Sequence, residues 1–380
     1  MDFQLTEEQR LLQQTVLDFV AREITPHARE WDRDGVFPRD LIPKLADLGL
    51  WGMTIPTTYG GSELDALGMA LVIEALARGD GGIALSVASH NSLCTGHIVA
   101  FASEEQKARY LPRLASGEAL GAWCLTEPVA GSDAAAIQTR AVQRGDRWYI
   151  NGTKVFVTQG SIGGVYVVMA VTDPQAGRDG ISAFIVDRET PGLRVGKHED
   201  KLGVRSSDTA EVVFEDCEVA ADALVGRPGE GFHQALRVLD RGRIGIGAMA
   251  VGLGRAALDA SVAYGLERRA FGRPIAEHQA LSFMLADMSA ELDAAWLLVA
   301  RAATLADAGQ PFHREASMAK LYASEAAARA AGRAVQIHGA YGFTKEYLVE
   351  RIYRDVKLTE IGEGTSEIQR IIIAKSVLEG

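Results

Sequence analysis

A chain of 380 residues has room for two or three packed units, and 47% apolar with 23% charged residues is the balance found in soluble globular proteins. A formal net charge of −11 argues against nucleic-acid binding, which needs clustered Lys and Arg against phosphate. No membrane span is evident, because the longest stretch free of Asp, Glu, Lys and Arg, Gly81 to Ser103, carries His90, Asn91, Ser92 and His97, which are costly in lipid. Cys94, Cys124 and Cys217 lie far apart and suggest neither a disulfide framework nor a zinc knuckle. The start Met1-Asp2-Phe3-Gln4 lacks a basic or apolar leader, and Glu7 and Glu8 argue against a transit peptide. A reducing, cytoplasmic location is the expectation.

In chain order, Thr6-Glu7-Glu8-Gln9 is a capping box opening an amphipathic helix that Pro26 closes. A second helix is expected from near Pro38 to Gly49, and a third from about Glu63 to Arg78 after the loop Tyr59-Gly60-Gly61. The uncharged stretch 81–102 reads as one buried helix, and Ser103-Glu104-Glu105-Gln106 caps another. Residues 1 to about 120 are therefore all helical.

The period then changes. Asn151-Gly152 between the β-prone runs Trp148–Ile150 and Lys154–Val157 predicts a hairpin turn there. Val165–Val171, Ser182–Val186 and Glu211–Phe214 are further strands, so residues 121–229 are expected to form a small antiparallel sandwich or barrel. Residues 230–380 return to helix: Phe232–Arg269, His278–Ala308, Pro311 to about His338, then about 345–357 and 365–378, an antiparallel bundle. Within the first of these, Gly245-Ile246-Gly247-Ala248-Met249-Ala250 imitates a dinucleotide fingerprint. It is rejected, because that motif needs a strand before it and here the helix starts well upstream.

The stretch that gathers chemistry is Glu360 to Arg370. Glu363 sits between Gly362 and Gly364, which remove bulk and let a flat ligand and an acyl chain approach. Thr365, followed by Ser366 and Glu367, looks like the N-cap of the last helix, whose free N–H groups suit an electron-rich partner. Read alone, the stretch is equally an ordinary turn and cap.

Several separated motifs shift that balance. They are Trp123-Cys124-Leu125-Thr126-Glu127-Pro128 with Gly131-Ser132-Asp133, and Asn151-Gly152-Thr153-Lys154. Further on come Lys201-Leu202-Gly203-Val204-Arg205, Glu267-Arg268-Arg269-Ala270-Phe271-Gly272, and Gln336-Ile337-His338-Gly339 leading to Tyr353-Arg354-Asp355. In this order and spacing the whole chain resembles the acyl-CoA dehydrogenases, most of all the short-chain and short branched-chain members. The resemblance implies an α+β fold of N-terminal helices, a middle β unit and a C-terminal long-helix bundle. It also implies FAD-dependent α,β-dehydrogenation of an acyl-CoA.

Such chemistry needs a base at Cα, a hydride acceptor at Cβ and stabilisation of the thioester oxygen, all held in line. The family's base matches Glu363. Relatives that carry the base on the first long helix have it at the position of Gly242, which here has no side chain. For FAD the resemblance points to Trp123, Leu125, Thr126, Gly131, Ser132, Phe156 and Thr158, with Thr365 and Glu367 at the last helix. Arg268, Phe271, Gln279, Gln336 and Gly339 match contacts made from a neighbouring subunit, which implies a homotetramer built as a dimer of dimers. Ser132, Asp240 and Arg243 match positions that hold the CoA arm, although Asp240 and Arg243 read equally as an i, i+3 pair. Most members have Tyr where this chain has Gly362, which leaves room by the acyl tail. Ser86, Ser89 and Leu93 are expected to line the same pocket, so the expected substrate is a short, branched or otherwise bulky acyl-CoA. The region Gly82–Leu85 lacks the arginine of glutaryl-CoA members. An electron-transfer flavoprotein is the implied acceptor. The alternatives are an oxidase using O₂ and a non-catalytic flavin or acyl-CoA binding protein.

Overall fold

The structure, a computed structural model, describes residues 4–379. Seven helices come first: α1 (Glu7–Phe19), α2 (Ala28–Asp34), α3 (Leu41–Asp47), α4 (Ala66–Gly79), α5 (Gly81–Ser89), α6 (Gly96–Phe101) and α7 (Glu104–Ala115). The capping boxes at Thr6 and Ser103 both form, each with the side chain bonded to the third helical N–H and the Gln returning to the cap. Between α5 and α6 the buried run continues as a π-helical segment, His90–Thr95, so the expected single helix 81–102 carries an extra residue in its turn. Asn91 braces that widened turn by donating to Leu50 O and Val87 O. Helix α2 was not anticipated; Pro26 ends the first helical run, but the chain resumes helix two residues later.

The middle unit holds β1 (Gly121–Cys124), β2 (Arg140–Arg144), β3 (Arg147–Thr158), β4 (Val165–Val171), β5 (Ile181–Asp187), β6 (Leu193–His198), β7 (Thr209–Ala220) and β8 (Leu224–Val225). They form one sheet in the order β6-β7-β3-β2-β4-β5-β8, with β1 added beside β4. The sheet is mostly antiparallel, but β1 and β2 both pair parallel to β4. Alternation along β4 explains its double burial: Tyr166, Val168 and Ala170 face an inner core with Trp148, Phe184 and Phe214, while Val165, Val167 and Met169 pack under α6 and α7.

The hairpin expected at Asn151-Gly152 is corrected. The turn lies at Gly145-Asp146, with Arg144 paired to Arg147 and Gly145 at φ 63°. Asn151 and Gly152 continue β3 through a bulge, where Gly152 (φ 151°) passes so close to Thr139 that a Cβ would come within 2.7 Å of its Cα.

Helices α8 (Gly231–Glu267), α9 (Gln279–Asp307), α10 (His313–His338), α11 (Leu348–Ile361) and α12 (Ser366–Glu379) complete the chain, with a small hairpin of β9 (Arg269–Ala270) and β10 (Arg273–Pro274) after α8. Gly245 and Gly247 lie in mid-helix, as the rejection of the dinucleotide motif required. By length and composition α8 could cross a bilayer, but 67% of its most apolar window is buried inside this protein, the mark of a core helix. The first and last helical units are not separate bodies. Val16, Leu76, Val251, Leu292, Ala327 and Ile352, drawn from both, belong to one apolar core. Ala316, Ala319, Ala323, Ala326, Ala327 and Ala330 let α10 lie close to its neighbours. The loop between β6 and β7 is fastened to this body: Val204 N donates to Asp355 Oδ1 at 2.6 Å, and Arg354 donates to Leu202 O at 3.1 Å while gripping Asp32 of α2 with two bonds of 2.8 and 2.6 Å.

Candidate active site

Glu363 owes its place to an abrupt break between α11 and α12. Gly362 N closes the last turn of α11 on Leu358 O (2.8 Å), and Gly362 then turns extended (φ −63°, ψ 148°). Glu363 follows at φ 54° and Gly364 at φ 97°, two successive left-handed residues of which only the second is glycine. Thr365 caps α12, its Oγ1 accepting from Ile368 N at 3.4 Å. The turn throws the Glu363 side chain across α8 at Gly242. A Cβ built on Gly242 would overlap Oε2 of Glu363 and come within 2.7 Å of its Cδ. The vacancy at 242 is therefore the seat of the carboxylate.

Oε2 of Glu363 is buried and has no hydrogen-bond partner among the described residues. Burial pushes the carboxyl up to about 7, against the lowering pull of Arg243 and Lys320. Neither cation comes within ion-pair distance of it: Arg243 is paired to Asp240 (Nη1–Oδ1 2.6 Å), and Lys320 donates to Gly364 O (2.8 Å). The Asp240–Arg243 pair anticipated as an i, i+3 contact thus forms, while Arg243 Nε remains buried and unpartnered. Ser317 Oγ, Ser366 Oγ and Gln369 Oε1 are also buried without partners, on α10 and α12 beside the same turn. Together with Oε2 of Glu363 these atoms form a set of buried polar groups whose hydrogen-bonding capacity is unspent.

A second group of residues forms a shelf on the β unit. Val155 N donates to Thr126 O (2.9 Å), bringing the loop after β1 alongside β3. Lys154, fully buried, reaches under that loop to Leu125 O (3.0 Å) and Glu127 Oε1 (2.7 Å), and Glu127 accepts from the Gln138 and Thr139 N–H groups. Phe156 is not a core-facing strand residue: at a β3 irregularity it takes φ 55° and stands 65% exposed. Trp123 is half-buried, and its Nε1 donates to His97 Nδ1 at 3.3 Å; His97 Nε2 then donates to Gln234 Oε1 at 3.0 Å. Burial holds His97 neutral by pulling it down to about 4.

These residues fit FAD. Phe156 and Trp123 offer aromatic surface, and a Cβ at Gly131 would meet nothing within 4 Å. The hydroxyls of Thr126, Ser132 and Thr158 make no hydrogen bond among the described residues and are free to donate. Leu125 is buried beneath the shelf.

The remaining expected residues fall into two sets. Ser86, Ser89 and Leu93 are buried on α5 and the π segment, but Ser86 Oγ is committed to Gly82 O (2.9 Å) and Ser207 Oγ (3.1 Å). Glu367 is exposed on the first turn of α12. Arg268, Phe271, Gln279, Gln336 and Gly339 are all exposed at the far ends of α8 and α10, where Arg268 lies over the Tyr341 ring at 5.9 Å. From Gly242 to the end of α8 at Glu267 is 25 residue steps, about 38 Å of helix. Within one chain Arg268 is thus a long way along α8 from the seat of the base.

Sequence reasoning missed Lys320, His97, Gln234 and Gln369. Lys320 carried one readable signal, a lone cation inside the alanine stripe Ala316, Ala319, Ala323, Ala327. His97 and Gln234 had none, since their partners are distant in sequence; Gln369 reaches back only five residues to Gly364 O, a contact within local range.

A carboxylate whose Oε2 is buried and unpartnered, and a shelf on the β unit with aromatic surface and free hydroxyls, both inside one helix–sheet–helix frame, are the features of a flavin-binding oxidoreductase. Comparison with known proteins agrees. The acyl-CoA dehydrogenase N-terminal, middle and C-terminal domain families match residues 6–118, 122–217 and 229–378. The short-chain specific acyl-CoA dehydrogenase of Clostridium acetobutylicum is 43% identical over 99% of this chain and 100% of its own. Among solved structures, butyryl-CoA dehydrogenase from Megasphaera elsdenii superposes with a TM-score of 0.98 at 42% identity, covering 100% of both chains. A chain of the electron transferring flavoprotein structure from Acidaminococcus fermentans superposes with a TM-score of 0.99 at 44% identity, also covering 100% of both. This protein belongs to the acyl-CoA dehydrogenase family of FAD-dependent enzymes.

Proposed function

We propose that the enzyme converts a short-chain acyl-CoA to its trans-2-enoyl-CoA, with Glu363 as the base. The observation that carries this reading is the Glu363 carboxylate seated on Gly242, its Oε2 buried and unpartnered and its carboxyl pushed up to about 7. Such a group takes a proton readily at physiological pH because nothing in its surroundings has already satisfied it. FAD supplies the acceptor for the hydride that leaves Cβ as the proton leaves Cα. Thr158 and the Trp123–Phe156 shelf orient that acceptor. Arg243 and Asp240, on either side of the base's seat at Gly242 on α8, hold the CoA arm.

Gly362 supports a compact or branched acyl group. A Cβ there would make ordinary contact with Leu358 at 3.5 to 3.7 Å, so the backbone could carry a side chain that this chain lacks. The relatives named above, short-chain specific and butyryl-CoA enzymes, support the chain length. A panel of butyryl-, isobutyryl-, isovaleryl-, 2-methylbutyryl-, octanoyl- and palmitoyl-CoA under argon tests the reading through loss of flavin absorbance. Fastest bleaching is expected with the four- and five-carbon thioesters. Best turnover of palmitoyl-CoA overturns the short-chain assignment, and preference for butyryl-CoA over every branched thioester overturns the branched one.

Because the base works only when deprotonated, kcat/KM is expected to be low below pH 6, to rise through about 7 and to level off above it. A profile flat from pH 5.5 to 8 excludes a base titrating near neutrality.

The electron acceptor is an electron-transfer flavoprotein, in keeping with the Acidaminococcus fermentans structure. The working form is a homotetramer. In that reading Arg268 and Gln336 reach a flavin from another chain, in keeping with their exposed positions at the ends of α8 and α10. Phe271 and Phe343, 96% and 88% exposed near these residues, give such a contact apolar surface.

A further inference from the structure

Lys320 sits in mid-α10, fully buried, on a stripe otherwise made of alanine. A buried ammonium is costly unless something needs its charge. Its one hydrogen bond goes to Gly364 O (2.8 Å), the carbonyl immediately after the base, and Gln369 Nε2 donates to the same oxygen at 2.8 Å. That carbonyl points at α10 because Glu363 and Gly364 are both left-handed, at φ 54° and 97°. A neutral donor could make the same bond, so the bond alone leaves the charge unexplained.

We propose that Lys320 is a positioning residue for the base, clamping the Glu363–Gly364 turn through one hydrogen bond and steadying the ionised carboxylate by a charge that never touches it. The proposal rests on the reading of Glu363 as the base. The absence of contact matters. A lysine within ion-pair distance would occupy the oxygen that must take the substrate proton, whereas one held back by Gly364 O favours the charged form and leaves Oε2 free.

The charged groups around the turn are few. On α8 stand Arg243 and Asp240, paired to one another; on α10 stand Lys320 and His313, the latter acting on Asp240; on α11 Lys357 is paired to Glu360; and Glu367 lies exposed on α12. Burial pulls the Lys320 ammonium down to about 8, against the opposing pull of Glu363, so at neutral pH it remains a cation. Of these groups only Arg243 and Lys320 act on Glu363.

Two variants separate bond from charge. Lys320→Gln keeps a donor toward Gly364 O and loses the charge; Lys320→Met loses both. In each, the acid limb of kcat/KM is expected to move up by about one pH unit or more. An infrared titration of the Glu363 carboxyl in substrate-free protein, assigned by its absence in Glu363→Gln, should move equally. Lys320→Met should in addition show a lower plateau kcat than Lys320→Gln, because Gly364 O then keeps only the Gln369 donor. If both the rate profile and the infrared titration of Lys320→Gln match wild type, the proposal is overturned. If Glu363→Gln still bleaches with substrate, the base assignment fails, while the infrared titration still reads the influence of Lys320 on that carboxyl.

Discussion

Glu363→Gln is expected to retain FAD and its yellow colour yet lose substrate-driven bleaching, with kcat reduced by about three orders of magnitude or more. The amide fills the same seat over Gly242 but has no basic oxygen of comparable strength, so the α-proton has nowhere to go. Stability is not expected to suffer. The wild-type carboxylate is buried without a hydrogen bond at Oε2 and without an ion pair, so its removal breaks little and relieves desolvation. Thermal unfolding followed by flavin fluorescence, beside rapid-mixing absorbance with butyryl-CoA, checks both halves. Bleaching at the wild-type rate would mean that another group takes the proton.

Gly242→Ala should produce the second-largest effect from a single methyl group. The added Cβ claims the space of Oε2 and lies within 2.7 Å of Cδ, so the carboxylate must swing off α8. A displacement of about 1 Å at a reacting group costs on the order of 100-fold in rate, and a loss of that size in kcat/KM is expected. The protein itself should fold as well as wild type or better, since Ala in mid-helix is favoured over Gly by about 1 kcal/mol and the atom displaced is the end of a flexible side chain. Wild-type kcat/KM in a folded, flavin-loaded Gly242→Ala protein would show that the carboxylate does not work from this seat. The substitution also explains why one fold can carry its base on either element: position 242 and the carboxyl of Glu363 compete for one volume.

Much of this was legible because it is local. Capping boxes at Thr6 and Ser103, the period of the long helices and the glycines around Glu363 act over a few residues, and each formed as read. The Asn151-Gly152 hairpin failed for a reason that is not local. Both it and Gly145-Asp146 can turn a chain, and the choice fell to the pairing of β3 with β7 over twelve residues, which needs β3 unbroken. Phe156, taken alone as a strand residue facing inward, is turned outward by an irregularity in that same ladder.

Read from the chain alone were the carboxylate between two glycines before a helix start, the vacancy at position 242, and the helices on either side of a β unit. These follow from residue type and spacing, which fix backbone freedom and periodicity. Only the tertiary structure decided that the vacancy and the carboxylate are the same place, and that the two helical units share one core. It alone brought Lys320 and Arg243 around the turn. Contacts between residues 44 to 121 positions apart depend on how whole elements pack, and no window of sequence contains that information.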